Sequence, residues 1–544
     1  MHKQRAKANL LAITFLVLVQ AACQQTATPS LDDPQGSEIE DALYRNPGRP
    51  TEERVTDLLG RMTLEEKIGQ MTLVEKNSIK KDDIADLALG ALLSGGGGYP
   101  ADNSPEGWLS MATDFQEYAL QTRLGIPLLY GVDAVHGHNN VIGAVIFPHN
   151  IGLGATRDAE LVEQIGRATA EAVAATGITW NYAPSIAVPQ DIRWGRTYEG
   201  YAEDTGLVTE LGAAFLRGLQ GDDLAAPDTI LATPKHYLGD GGTTFGTSTQ
   251  EVFQPYLLDQ GDTRVDEDTL RAIHLPPYKA AIDEGARSIM ASFSSWNGDK
   301  VHGSEYLLSE LLKDELGFTG FIVSDWAAID QINADYYQAV VTAINAGVDM
   351  NMVPYDYPRF VQTLKRAVEE GDVSLERIDE AVRRILTVKF DLGLFERPFA
   401  DEELLKVVGS SEHRNLAQQA VSQSLVLLKN EDGVLPIAED TEVILVAGQA
   451  ADDIGIQSGG WTIEWQGKEG DITEGTTILE AIQSTAPHGA AVYYDSKGLL
   501  DSVQVAEGSD LEPDVCIGVA GERPYAEGVG DSSDLALPAE DLEM

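Results

Sequence analysis

Between about residues 88 and 352, short apolar runs alternate with longer amphipathic stretches. The runs read "LGALLSGGGG", "IPLLYGVDAVHG", "ITWNYAPSI", "ILATPKHYLGD", "SIMASFSSWNG", "GFIVSDW" and "AGVDMNMV". Segments such as "DAELVEQIGRATAEAVAATG" and "SEYLLSELLKDEL" lie between them. Runs this short, bounded by glycine, predict buried strands, and the longer segments carry apolar residues at helical spacing. Thr63 and Glu66 in "TLEEKIGQM" have the spacing of a capping box at a helix start. Repeated strand–helix alternation implies parallel strands covered by helices, and seven or eight such units point to a (β/α)8-type barrel over residues 45–395. An acidic linker is expected at 396–415. A second α/β region over 416–544 holds a helix in "RNLAQQAVSQSLVLLKN", another near "TTILEAIQS", and strands in "VILVAG", "AAVYYD" and "VCIGVAG". Few strands are laid down before Met544, so this region reads as cut short.

Several runs end in polar or aromatic residues: Asp133 and His136, Lys235 and His236, Trp296, and Asp325 with Trp326. Each alone reads equally well as a helix N-cap or a loop residue. The C-terminal strand ends of a (β/α)8 barrel converge on one face, however, and together these residues would line a polar pocket with aromatic walls. A sugar needs such a pocket.

Charge narrows the partners. Lys and Arg number 38 against 87 Asp and Glu, a net charge of −49, which repels phosphate backbones and argues against nucleic acid. At the N-terminus His2, Lys3, Arg5 and Lys7 precede the apolar "LLAITFLVLV" and the small residues of "QAAC". That order is a secretory signal over residues 1–23, too short for a stable spanning helix. Cys23 after Ala21-Ala22 resembles a lipobox, with Gln20 where such motifs carry an apolar residue. Lipidation at Cys23 is therefore expected, then an acidic tether over 24–44. The expected location is the periplasm or outer membrane of a Gram-negative-type bacterium, with membrane contact only through the lipid. The other cysteine, Cys516, leaves the mature chain no disulfide partner and no Cys-based metal site.

Hydrolysing a glycosidic bond with retention needs two carboxyl groups roughly 5–5.5 Å apart, one attacking the anomeric carbon and one moving the proton. Asp325, at a rigid strand end, suits the attacking role. Lys235 and other cations are expected to lower its pKa. Trp326 beside it offers a face for a pyranose.

"PKHYLGDGGT", "GFTGFIVSDW", "DIRWGRTYEGYAED", "YGVDAVHG", "GGWTIEWQG" and "GERPYAEGVGD" together resemble glycoside hydrolase family 3 from about residue 45 to the last residue. The resemblance is nearest to the exo-acting β-glucosidases and β-glucan exohydrolases of plants and Gram-negative bacteria. It implies a (β/α)8 TIM-type barrel followed by an incomplete α/β sandwich domain. It also implies a cleft between them, no metal or other cofactor, and a retaining mechanism. On this resemblance Asp325 is the nucleophile and Glu527 of "GERPYAE" the acid/base. Asp133, Arg196, Lys235 and His236 surround the glucosyl unit, and Trp326 and Trp465 clamp the next sugar.

Some of these residues have other readings. Trp461 and Trp465 could share a helix face, but Gly459, Gly460 and Gly467 argue for a loop. Glu522 is an alternative proton donor. "LLSGGGGYP" lacks the Gly-Lys-Ser/Thr of a phosphate loop, and His136, His138 and Asp133 lack further clustered ligands for a metal. Phe293 stands where relatives carry Tyr, and Gln331 where plant relatives carry a base; both bear on linkage preference, β-1,3 or β-1,4. If the chain ends at Met544, Glu527 is expected on a poorly supported loop. The expected function is release of glucose from non-reducing ends of β-glucan or gluco-oligosaccharides. A β-N-acetylglucosaminidase would need a histidine that "LGDGGTTFGTSTQ" lacks. A sugar-binding lipoprotein without turnover is the non-enzymatic alternative. Oligomeric state is not encoded in any of these patterns.

Overall fold

The structure is a computed structural model that describes residues 41–498 and 512–544. The expected signal segment 1–23, the Cys23 lipid site and nearly all of the 24–44 tether lie outside the described residues. The folded body takes in the chain from Leu43–Arg45, a turn whose buried Tyr44 donates its hydroxyl to Leu124 O at 2.8 Å.

Eight parallel strands follow in chain order: β1 Thr72–Glu75, β2 Ala91–Ser94, β3 Leu129–Val132, β4 Trp180–Asn181, β5 Leu231–Ala232, β6 Ser288–Met290, β7 Phe321–Val323 and β8 Asn351–Met352. Six are hydrogen-bonded in the order β8-β1-β2-β3-β4-β5, and β6 pairs with β7. Single parallel bridges, Tyr237 to Ala291 and Val323 to Met350, close the circle. Registers such as Leu92 opposite Tyr130 and Ile322 opposite Ile289 keep every strand residue of β2, β3, β6 and β7 buried. That is why these strands read as continuous apolar runs rather than alternations. The surrounding helices start where the sequence places caps. Thr63 and Glu66 form the reciprocal capping box, and Asp158 and Asp204 accept from the third helical N–H of the helices Ala159–Ala175 and Thr205–Gln220.

One run departs from the barrel pattern. Ser295–Trp296 forms a small sheet with Asp262–Thr263 and Asp299–Lys300 instead of extending β6. The expected helix after the linker also differs: it spans Ser411–Ser424, packs on the barrel helices Asn150–Thr156 and Ala159–Ala175, and ends as Leu425 turns extended. Leu425, Val426, Leu427 and Leu428 then stay exposed.

Among the described residues the second domain is built on three parallel strands, β9 Val443–Ala447, β10 Ala491–Asp495 and β11 Val515–Gly518, in the order β10-β9-β11. Ile444 and Val446 of β9 pack with Ala451 and with Leu479 of the helix Ile478–Thr485 to form its core. Among the described residues no helix is long and apolar enough to cross a membrane.

Candidate active site

Each polar side chain at the barrel mouth is fixed by a bond traceable to its strand. Asp325 stands two residues beyond the end of β7; its N–H donates to His302 Nε2 at 3.1 Å, and Trp326 N–H donates to Asp325 Oδ1 at 2.7 Å. Asp133 follows β3, and its carbonyl accepts from the side-chain amides of Asn139 and Asn140, both at 2.9 Å. Lys235, beyond β5, donates to Asp133 Oδ1 at 2.6 Å. Arg196 Nη2 lies 3.3 Å from His236 Nε2. An arginine can only donate, so Nε2 accepts and the imidazole proton sits on Nδ1, donated to Asp240 Oδ2 at 2.8 Å. His236 Nε2 lies 3.6 Å from Asp325 Oδ2.

The second domain supplies the opposite wall. Trp461 and Trp465 stand on an irregular loop, as the flanking glycines predict. The Trp461 indole donates to Glu199 Oε1 at 3.1 Å, and its carbonyl accepts from Asn139 Nδ2 at 2.6 Å. The glycine run after β2 lets this loop approach. A Cβ on Gly96 would sit 2.6 Å from Trp465 Cα, and one on Gly95 would sit 3.1 Å from the Trp326 ring. Two glycines of a run that fails as a phosphate loop, Gly95 and Gly96, therefore make room for Trp326 and Trp465.

These walls enclose a cavity of about 590 Å³, within the range of small-molecule sites. Asp133, Arg196, Lys235, His236, Asp325, Trp326, Trp465 and Glu527 all line it. Phe293 and Gln331 line it too, with Gln331 held between Lys300 Nζ and Gln260 at 2.9 Å each.

Four residues considered for the site are elsewhere. His136 is buried against His149 and spends its ring nitrogens on Phe147 O and Thr462 Oγ1. His138 turns to Thr176, so the pair does not converge on Asp133. Trp296 sits in the small sheet, its indole donating to Val265 O at 3.0 Å. Glu522 is exposed and accepts from the Tyr525 hydroxyl, outside the cavity lining.

Electrostatics separate the two cavity acids, and here one expectation fails. Burial raises the Asp325 carboxyl to about 6, although Arg196 and Lys235 pull it down. The cations expected to win are outweighed by the loss of water. Glu527 is held well above the ordinary glutamate range by burial, with Asp259 and Asp325 adding to the effect and Arg196 opposing it. Burial, Arg196 and Lys235 together keep His236 neutral. Near neutral pH the cavity therefore holds an ionised Asp325 and a protonated Glu527. That pairing can attack carbon and protonate a leaving oxygen.

The Glu527 loop is not poorly supported, which corrects the second expectation. Gln466 brackets the preceding residue, accepting from Ala526 N at 3.0 Å and donating to Ala526 O at 3.1 Å. Tyr198 OH donates to Tyr525 O at 2.8 Å, and Ser532 N donates to Arg193 O at 3.0 Å. Arg196 Nη1 approaches Glu527 Oε1 at 3.5 Å. The supports come from the barrel and from the Trp465 loop, not from the strands of the second domain. Glu199, which binds both Arg196 and Trp461, escapes a reading of the sequence because an acid after "WGRTY" looks like an ordinary turn residue.

Comparison with known proteins gives two family matches: the Glycosyl hydrolase family 3 N terminal domain over residues 63–388, and its C-terminal domain over 425–544. The lysosomal beta glucosidase of Dictyostelium discoideum is 33% identical over 532 residues, covering 89% of this chain and 63% of the relative. The periplasmic beta-glucosidase of Salmonella typhimurium is 32% identical over 478 residues, covering 83% of this chain and 58% of the relative. The chain thus spans less than two thirds of the length of either. Among solved structures, the exo-1,3/1,4-beta-glucanase of a Pseudoalteromonas species superposes with a TM-score of 0.82 at 39% identity, covering 93% of this chain and 62% of that one.

Proposed function

The chain belongs to glycoside hydrolase family 3, and from that premise we infer that it is a retaining exo-β-glucosidase. Its substrates would be β-1,3- and β-1,4-linked gluco-oligosaccharides, from which it releases glucose at non-reducing ends. One observation carries this reading: Asp325 from the barrel and Glu527 from the second domain line one cavity, where burial holds the Glu527 carboxyl above its ordinary range. The likeness to the Dictyostelium beta glucosidase and the Pseudoalteromonas exo-1,3/1,4-beta-glucanase supports it.

In this reading the terminal glucosyl unit sits among Asp133, Arg196, Lys235 and His236. A carboxylate can accept two hydroxyl protons, while Arg and Lys give charge-assisted bonds. Trp326 and Trp465 hold the next sugar by its faces. Asp325 attacks the anomeric carbon as Glu527 passes its proton to the departing glycosidic oxygen, leaving a glucosyl ester on Asp325. Glu527, now a carboxylate, takes a proton from water, which attacks the same carbon and frees Asp325. Two displacements return the β configuration. Proton NMR of the first product tests this: β-glucose is expected initially, and initial α-glucose would remove Asp325 from the role.

We also propose that the protein is exported and anchored through a lipid on Cys23. The charged, apolar and small-residue order of residues 1–23 supports this, as does the periplasmic relative in Salmonella. Cys23→Ser is expected to release the protein from the membrane fraction; unchanged fractionation would exclude the anchor.

A further inference from the structure

Four residues beyond Glu527, the buried carboxylate of Asp531 crosses from the second domain into the barrel. Its Oδ2 accepts three consecutive backbone N–H groups, of Leu257 at 2.8 Å, Leu258 at 2.7 Å and Asp259 at 2.8 Å. Its Oδ1 accepts the N–H of Gly195 at 2.8 Å. Three successive N–H groups aimed at one point form an anion-holding nest, and here a carboxylate from the other domain fills it. The contact is reciprocated. Asp259 Oδ2 in turn accepts from the N–H of Gly528, the residue directly after Glu527, at 3.1 Å, and its Oδ1 accepts from the Trp194 indole at 3.1 Å.

Given the glucosidase reading above, on which this rests, we propose that Asp531 and Asp259 are positioning residues that fix the proton-donating Glu527. Interface glue could be laid anywhere; these bonds fall on the residue following Glu527 and on the residue preceding Arg196. Glu527 itself has φ +57, a left-handed backbone that a non-glycine residue holds only when its surroundings impose it. The fit is close as well, since a Cβ on Gly195 would lie 2.1 Å from the Glu527 carbonyl. With the clasp cut, the loop is free to relax and carry the carboxyl off the line to the glycosidic oxygen. Arg196, next to Gly195, would lose its register with Glu527 in the same movement.

The test exploits the fact that a good leaving group needs no proton. In Asp531→Ala, kcat/KM for a β-linked glucose disaccharide is expected to fall about 100-fold or more, the scale of a lost general acid. For dinitrophenyl β-glucoside it should stay within a few-fold of the parent, and azide should raise kcat with formation of β-glucosyl azide. Asp531→Asn keeps one oxygen for the nest and should lose less on the disaccharide, with the same split. Equal losses on both substrates, no loss on either, or failure of both variants to fold would each overturn the proposal and leave Asp531 a purely structural residue. Failure of the glucosidase reading looks different: the parent would hydrolyse neither substrate, or Glu527→Ala would show no such split.

Discussion

Nη1 of Arg196, on the barrel, lies 3.5 Å from Oε1 of Glu527, on the second domain, while its Nη2 donates to Glu199 at 2.9 Å. This one guanidinium lowers the pKa of both cavity acids against the burial that raises them. Removing it should let both rise further. Arg196→Gln is expected to cut kcat/KM by about 100-fold or more, as for loss of a charge-assisted contact in a closed site. The acid limb of its pH profile should also move to higher pH. Arg196→Lys restores charge without the planar fork and should recover only part of the loss.

The parent profile follows from the same two groups. Asp325 must be ionised and sits at about 6, so activity should be lost as pH falls through that value. Glu527 must be protonated and is raised, so activity should be lost on the alkaline side only well above the ordinary glutamate range. A bell-shaped plot of kcat/KM against pH would report both for the free enzyme. An acid limb near the ordinary aspartate value would mean that the cations outweigh burial after all.

Trp465→Ala should raise KM for a disaccharide by about 10-fold, the usual scale for a central aromatic contact. Methyl β-glucoside, with no second ring to stack, should lose little. Gly96→Ala should reproduce the effect without touching the indole, because its Cβ would lie 2.6 Å from Trp465 Cα and displace that loop. Steady-state kinetics on the two substrates separates stacking from general damage.

Stability should depend on a residue remote from the chemistry. Lys389 is fully buried and donates to Gln70 Oε1, Gly90 O and Pro127 O at 2.7, 2.8 and 2.7 Å. Gly90 and Pro127 precede β2 and β3, so this cluster lies at the end of the barrel opposite the site. Lys389→Met strands three acceptors and should cost about 3 kcal/mol or more. A urea melt should show the loss, with kcat/KM unchanged in dilute buffer.

The barrel is legible because its strands are buried on both faces and glycine punctuates them. That holds even for β4, β5 and β8, two residues each, because each falls inside one of the apolar runs. Asp325 and Lys235 stand out as polar residues leaving apolar runs, whereas Glu527 is reached only through the family resemblance. Asp259 and Asp531 carry no signal of their own. Their partners are mostly backbone N–H groups, Leu258 and Asp531 being 273 residues apart along the chain, and no side-chain pattern records such a bond. The sign of the Asp325 shift goes wrong for a related reason: nearby charges can be read from sequence, but depth of burial cannot. Trp296 and His136 fail as pocket residues because strand-end position alone does not say which way a turn leaves the barrel.

The central claim is that Asp325 forms a glucosyl ester while Glu527 acts from across the cavity. Incubation with a 2-deoxy-2-fluoro-glucoside bearing a good leaving group, followed by peptide mass spectrometry, tests it most directly. The adduct is expected on the peptide containing Asp325 and absent in Asp325→Ala. A stable adduct on any other residue, or turnover of the reagent to α-product without an adduct, would contradict the account.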